Sequence, residues 1–219
     1  MVEQLDVFDD LEGREAALNM AIDEALLEIA SVPILRFYRW NRPALSFGYF
    51  GLYAEAAREA GDRHLVRRWT GGGIVPHGED LTYSVILPAS DPLFSKSSRE
   101  IYAAIHEAIQ QALHANGIAA SLLDRPAPRT SDLCFANAVH ADLMINGNKI
   151  AGAAHRRTRR GLLHQGSIQH PDLSPKFRTD LAEFVCARYQ ARRLSLDLLN
   201  RAETIRDHKY ATHEWLTRR

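Results

Sequence analysis

The 219 residues carry 27 basic and 27 acidic side chains, with 46% apolar and 25% charged positions, the balance of a globular unit able to bury a core rather than of a disordered or fibrous chain. Zero net charge excludes polyelectrolyte binding to nucleic acid or to an anionic membrane as the main activity. The longest stretch free of Asp, Glu, Lys and Arg, 108–123, is interrupted by polar residues, whereas a membrane span needs ~20 mostly apolar ones. The acidic start lacks the basic n-region of a secretory signal, and Cys134 and Cys186 form neither a disulfide framework nor a Cys-x-x-Cys zinc pair. The expectation is a single domain over 1–219 in the reducing cytoplasm, with no metal centre.

In chain order, Leu18, Ile22, Ala25, Leu26 and Ile29 recur at helical spacing and predict a helix over 15–30. Two extended runs follow, 34–40 and 44–49, separated by Asn41-Arg42-Pro43. Residues 65–69 lead into Gly71-Gly72-Gly73, and 81–87 alternate as a strand ended by Pro88. Ser97 and Glu100 make a capping box ahead of an apolar stripe from Ile101 to Leu113, and Asn116-Gly117 stops that helix. Residues 125–130 carry two prolines and read as a loop. Asn146-Gly147 between 142–145 and 148–155 signals a hairpin, because both turn positions tolerate positive φ. A basic link, 156–160, precedes a strand over 162–168, and two helices close the chain, one opened by Ser174-Pro175 and one spanning 195–216. Strands and helices mix without regular alternation, so the class is α+β with a mixed, mostly antiparallel sheet packed with helices.

Two segments carry candidate chemistry. In Arg67-Arg68-Trp69-Thr70-Gly71-Gly72-Gly73, two guanidinium groups precede a loop whose backbone can approach an acyl chain or a phosphate closely. A tight turn between strands explains the same glycines, and the Gly-Lys-Ser/Thr ending of a P-loop is absent. Lys149 follows the hairpin turn on a strand of small residues, with His164-Gln165-Gly166-Ser167 on the next strand. A lone lysine at a hairpin is more often a solvated edge charge.

Taken together, RRWTGGGIVPHGEDLTYSVI, INGNKIAGAAHRR and LLHQGSI resemble the lipoate/biotin protein ligase family, in its lipoate-protein ligase A and octanoyltransferase branch, over roughly residues 14–175. The resemblance implies a class II biotin-ligase/lipoate-ligase-like catalytic domain without an accessory C-terminal domain. It implies that Arg68, Thr70, Gly71, Gly72, Gly73 and His77 bind the acyl group or adenylate, and that Lys149 is the essential lysine. Gly152, Ala153, His164 and Gly166 would surround the acyl carbonyl, and Trp40 would line the apolar tunnel. Cys134-Phe135, some fifteen residues before Lys149, resembles the nucleophile of the octanoyltransferases. Cys186 reads as a buried small hydrophobe.

The implied function is an acyltransferase that attaches an octanoyl or lipoyl group, through a Cys134 thioester, to the lysine of a lipoyl domain in glycine cleavage H protein or a 2-oxoacid dehydrogenase E2. Acyl carrier protein would be the donor, with no cofactor, no nucleic acid and no membrane involved. The alternative is an ATP- and Mg2+-dependent lipoate-protein ligase forming lipoyl-AMP, and a third reading is an inactive module that binds an acyl chain or a lipoyl domain. Arg156, Arg157, Arg159 and Arg160 are expected to steer an acidic protein partner.

Overall fold

The computed structural model describes residues 2–124, 138–170 and 173–218. The elements are β1 (Leu5–Arg14), α1 (Ala16–Ile29), β2 (Ile34–Trp40), β3 (Ala44–Phe47), α2 (Tyr53–Ala60), β4 (His64–Arg67), β5 (Val75–His77), β6 (Leu81–Pro88), α3 (Ser98–Ala115) and β7 (Ser121–Leu122). After these come β8 (Leu143–Ile145), β9 (Asn148–Arg157), β10 (Gly161–Ile168), α4 (Pro175–Val185), β11 (Tyr189–Arg192), α5 (Leu196–Ile205), a π-turn (Arg206–Tyr210) and α6 (His213–Thr217).

Among the described residues the main sheet runs β11-β1-β2-β6-β10-β9-β8-β7, and β4-β3-β5 forms a smaller one. β1 is parallel to both its neighbours, while the other pairings of the main sheet are antiparallel. The period of two along β2 sorts its side chains into two cores. Leu35 and Phe37 pack with Ile105 and Ile109 of α3 and Phe177 and Leu181 of α4. Ile34, Tyr38 and Trp40 pack with Met20 and Leu26 of α1 and Leu198 and Ala202 of α5. The sheet is therefore the middle of three layers. No helix among the described residues is long and apolar enough to cross a membrane.

The capping box forms as the sequence predicts: the Glu100 amide donates to Ser97 Oγ at 3.2 Å and the Ser97 amide to Glu100 Oε2 at 2.9 Å. Asn146 and Gly147 take φ of 49° and 78° in the hairpin turn. Other expectations need correction. The helix expected over 195–216 is broken by the π-turn, and β9 runs through Arg156 and Arg157, which were expected to belong to a link. β1, α2 and β11 have no counterpart in the sequence reading, for reasons taken up below.

Candidate active site

A cleft opens between the α1 side of the main sheet and the smaller sheet. Met20, Tyr38, Trp40 and Thr82 form one side, Ser46, Arg68, Val75 and His77 another, and the small residues Gly152–Ala154 with Gln165–Ser167 the third. Of the candidates named from sequence, Trp40, Arg68, His77, Gly152, Ala153 and Gly166 line this cleft. Thr70, Gly71, Gly72 and Gly73 form the adjoining loop between β4 and β5. Cys134 lies outside the described residues.

The wall around Trp40 is held by one buried carboxylate. Trp40 stacks on His77 with centroids 4.1 Å apart and an interplanar angle of 21°, and its indole donates to Thr82 Oγ1 at 2.7 Å. Asp80 accepts from the hydroxyls of Thr82 and Ser167 and from the Gly78 amide, and lies 2.8 Å from His77 Nδ1. Burial raises the carboxyl pKa of Asp80, but His77, Ser167 and Gly78 outweigh it and hold the group at about 2. On its other edge His77 Nε2 lies 2.6 Å from Ser46 Oγ. Arg68 donates to that same oxygen at 2.6 Å, which makes the Ser46–His77–Asp80 line a fixed wall rather than a free nucleophile relay.

The glycine loop is shaped from beneath. Arg68, a residue with 6% of its surface exposed, donates to the carbonyls of Gly71 and Gly73 at 3.0 and 2.8 Å, and Gly72 between them sits at φ +85°, where a side chain would be strained. Thr70 donates to Gln165, whose amide donates to Asp23 of α1 at 2.8 Å, and Asp23 is paired with the fully buried Arg36. The loop is thus tied through three side chains to the helix on which the sheet rests.

Lys149 is not the solvated edge charge its position allows. Its side chain is 3% exposed and its ammonium lies 2.8 Å from Asp142 Oδ2. Asp142 also accepts from the Val139 amide and from the Tyr102 hydroxyl of α3, and that hydroxyl in turn accepts from the Ala153 amide at 3.1 Å. A Cβ built on Gly152 would fall 2.6 Å from Lys149 Nζ, so the missing side chain is what lets the ammonium lie directly behind a residue of the cleft.

Behind this group, on the α3 side of the sheet, three imidazoles pack together. His164, expected from sequence at the acyl carbonyl, is not among the cleft-lining residues. It is buried beside the Tyr83 hydroxyl at 3.0 Å and His155 at 2.6 Å, with His106 edge-on at 5.9 Å. Burial lowers the pKa of His106 and of His155 to about 4, and lowers that of His164 in the same direction, with its imidazole neighbours adding to the effect. Below an unfolded pKa of ~6.5 the unfolded chain binds protons that the folded one refuses, so stability declines as the pH drops from there toward 4. Asp80, depressed instead, contributes stability above ~3.9 that is lost only on further acidification toward 2. We expect the thermal midpoint to drop by about 10 °C between pH 7 and 4.5, equivalent to a few kcal/mol. A midpoint that stays flat over that range would contradict the neutral buried cluster.

Sequence reasoning missed Asp142, Tyr102, Asp80 and Ser46, and quoted Gln165 without a role. A regular two-residue turn would set Asp142 against Ala151; a bulge between Leu143 and Met144 shifts the register so that Leu143 pairs with Ala151, which puts Asp142 beside Gly152.

Comparison with known proteins adds a family. Residues 15–179 match the model of the lipoyl protein ligase A/B catalytic domain. The chain is 39% identical over 166 residues to an octanoyltransferase LipM of Oceanobacillus iheyensis, covering 71% of this chain and 60% of that protein. It is 40% identical over 169 residues to one of Geobacillus kaustophilus, covering 69% and 60%. It therefore spans about 60% of the length of these relatives. Among solved structures, a bipartite lipoate protein ligase studied with its E2 lipoyl domain from Thermoplasma acidophilum superimposes with a TM-score of 0.71 at 22% identity, covering 99% of this chain and 96% of that one. That likeness is one of fold.

Proposed function

The chain belongs to the lipoyl protein ligase A/B catalytic-domain family, and from that premise we propose that it is an acyltransferase moving an octanoyl group from a thioester donor to the lysine of a lipoyl domain. The observation that carries this reading is the buried Lys149 ammonium set behind Gly152 at a cleft whose exposed surface is mostly apolar. Such a cleft suits a saturated acyl chain, and such a cation suits the oxygen of its carbonyl as negative charge develops there. The names of the LipM relatives support the same reaction.

In the proposal the Cys134 thiolate attacks the donor carbonyl, forming a new thioester bond and releasing the donor thiol. The neutral amine of the acceptor lysine then attacks that thioester, forming an amide and returning the thiol to Cys134. Each step passes through a tetrahedral oxyanion, and in each Lys149 donates to it. No nucleotide is consumed, because the acyl group arrives activated. The donor is acyl carrier protein and the acceptor the lipoyl domain of glycine cleavage H protein or of a 2-oxoacid dehydrogenase E2, in the cytoplasm.

The test is incubation of the protein with octanoyl carrier protein and an unmodified lipoyl domain. Mass spectrometry should show the domain heavier by one octanoyl group without added ATP. Modification that requires free lipoate, ATP and Mg2+ would replace transfer by ligase chemistry.

A further inference from the structure

Beyond Ala154 the cleft-facing side of β9 continues to Arg156, since alternate residues of a strand share a face. There it meets an arrangement that the proposed acyl transfer does not use. The Arg156 guanidinium lies 5.0 Å from the ring centre of Tyr49 and 5.1 Å from that of Trp69. Lys209 Nζ lies 4.1 Å from Trp69 and 4.5 Å from Trp215, and Arg218 lies 4.5 Å from Tyr49 and 4.8 Å from Trp215. Each of these three rings is shared by two of the cations, and Lys209 also lies 4.9 Å from the ring of Tyr210. The floor they share abuts the glycine loop: Trp69 leads into it, and the Tyr49 amide donates to the Thr70 carbonyl.

Charge here is not balanced. Lys209 is paired with Glu24 at 2.6 Å, but among the described residues neither guanidinium has a carboxylate partner or a hydrogen-bond acceptor, and Arg156 Nε is buried without one. Glu214 borders the adjoining recess with Lys209 and Arg218 without pairing to either. The rings hold the three cations close by cation–π attraction and do not neutralise them. A carboxylate has two oxygens and is satisfied by one guanidinium fork, whereas a phosphate ester presents enough oxygens for two forks and an ammonium together. From Gly152, where Lys149 waits, Arg156 is about 13 Å along the strand at ~3.3 Å per residue.

We propose that Arg156, Lys209 and Arg218 form a shelf that binds the phosphate of the phosphopantetheine arm on which the donor carries its acyl group, while that group enters the cleft. The proposal rests on the acyl-transfer reading above. It also revises the expectation for the basic run 156–160. Arg157 is taken up by the carbonyls of Phe94 and Lys96 at 2.6 and 2.7 Å, and Arg160 lies 3.7 Å from Glu28, whereas Arg156 faces the shelf.

The experiment compares octanoyl-phosphopantetheine with octanoyl-pantetheine, which differ only in the phosphate. Wild type should favour the phosphorylated donor in kcat/KM by about tenfold or more, the scale of one or two charge-assisted hydrogen bonds. In Arg156→Gln and in Arg218→Gln that preference should collapse to about twofold, with Arg156→Lys intermediate. Independently of turnover, phosphopantetheine should quench the fluorescence of Trp69 and Trp215 at concentrations where pantetheine does not, and Arg156→Gln should abolish the difference. Equal use of both donors by wild type, or an undiminished preference in both variants, would overturn the shelf. If neither donor supports transfer, the acyl-transfer reading fails, and the quenching comparison still decides whether the shelf binds phosphate. Carrier-bound and coenzyme A-bound phosphopantetheine share this group; a variant loss with octanoyl carrier protein names the carrier as source, and one confined to octanoyl-CoA names the free coenzyme.

Discussion

Lys149→Ala is expected to lower the single-turnover rate of octanoyl transfer by about 10²–10³-fold, the cost of removing one preorganised donor to an oxyanion. Both half-reactions should suffer, because the acyl oxygen gathers charge in each. Lys149→Arg should fail nearly as badly. The ammonium occupies a space bounded by Asp142, Tyr102 and the bare Cα of Gly152, and a planar fork fits neither the room nor the direction. Removing one member of a buried pair also strands the other, typically costing ~3–5 kcal/mol of stability, so rates are read at a temperature where circular dichroism shows the variant folded. Gly152→Ala supplies the control that leaves the ion pair's chemistry intact. Its methyl would displace the ammonium, and a comparable rate loss with both partners present would separate position from charge. Turnover of Lys149→Ala at the wild-type rate would remove this residue from the reaction.

Cys134→Ser is expected to abolish the covalent intermediate. After incubation with octanoyl carrier protein, the wild-type protein should gain one octanoyl mass that hydroxylamine removes, and the serine variant should gain none. A hydroxyl is far less ionised than a thiol at neutral pH and has no adjacent base assigned to it, so transfer should fall by at least ~10³-fold. A serine variant that transfers at the wild-type rate would mean that the acyl group passes directly from donor to acceptor.

Local signals carried the elements they control. The capping box set the start of α3, and Asn146-Gly147 set the hairpin that carries Lys149, because these residues determine backbone angles by themselves. β1 was illegible for the opposite reason. Asp9, Asp10 and Glu12 break up its apolar pattern, yet Asp10 turns inward to Arg14 and to Arg36 at 2.8 Å, and Arg36 lies on another strand. α2 buries only Ala56 and Ala60, too little for an apolar stripe, and β11 has no buried residue and is held as a strand by pairing with β1. In the site, the glycine loop stood out by composition, and Lys149 through the resemblance of its hairpin segment to the family. What fixes them did not, because Tyr102, Gln165 and Asp23 reach them from distant helices and strands, and a polar residue gives no sign in sequence of being buried with its partners. His164 shows the converse: its neighbours in the chain line the cleft, and the alternation of β10 turns it to the other face.

The π-turn between α5 and α6 carries a consequence for length variation. Its wide winding, from Arg206 to Tyr210, lets Lys209 and Tyr210 both reach Glu24 of α1, and it delivers Trp215 to the Arg67 carbonyl at 3.0 Å. Loss of a single residue there would let the backbone relax into ordinary α-helix, and everything downstream would rotate by about 100°. Trp215 would leave its carbonyl, and Arg67 would lose the Leu216 and Arg218 carbonyls to which it donates at 3.1 and 2.8 Å. The C-terminal turn therefore behaves as a spacer of fixed gauge: substitutions in its exposed positions are tolerable, while a one-residue insertion or deletion would unseat the chain's end from the smaller sheet and from the rim of the cleft together.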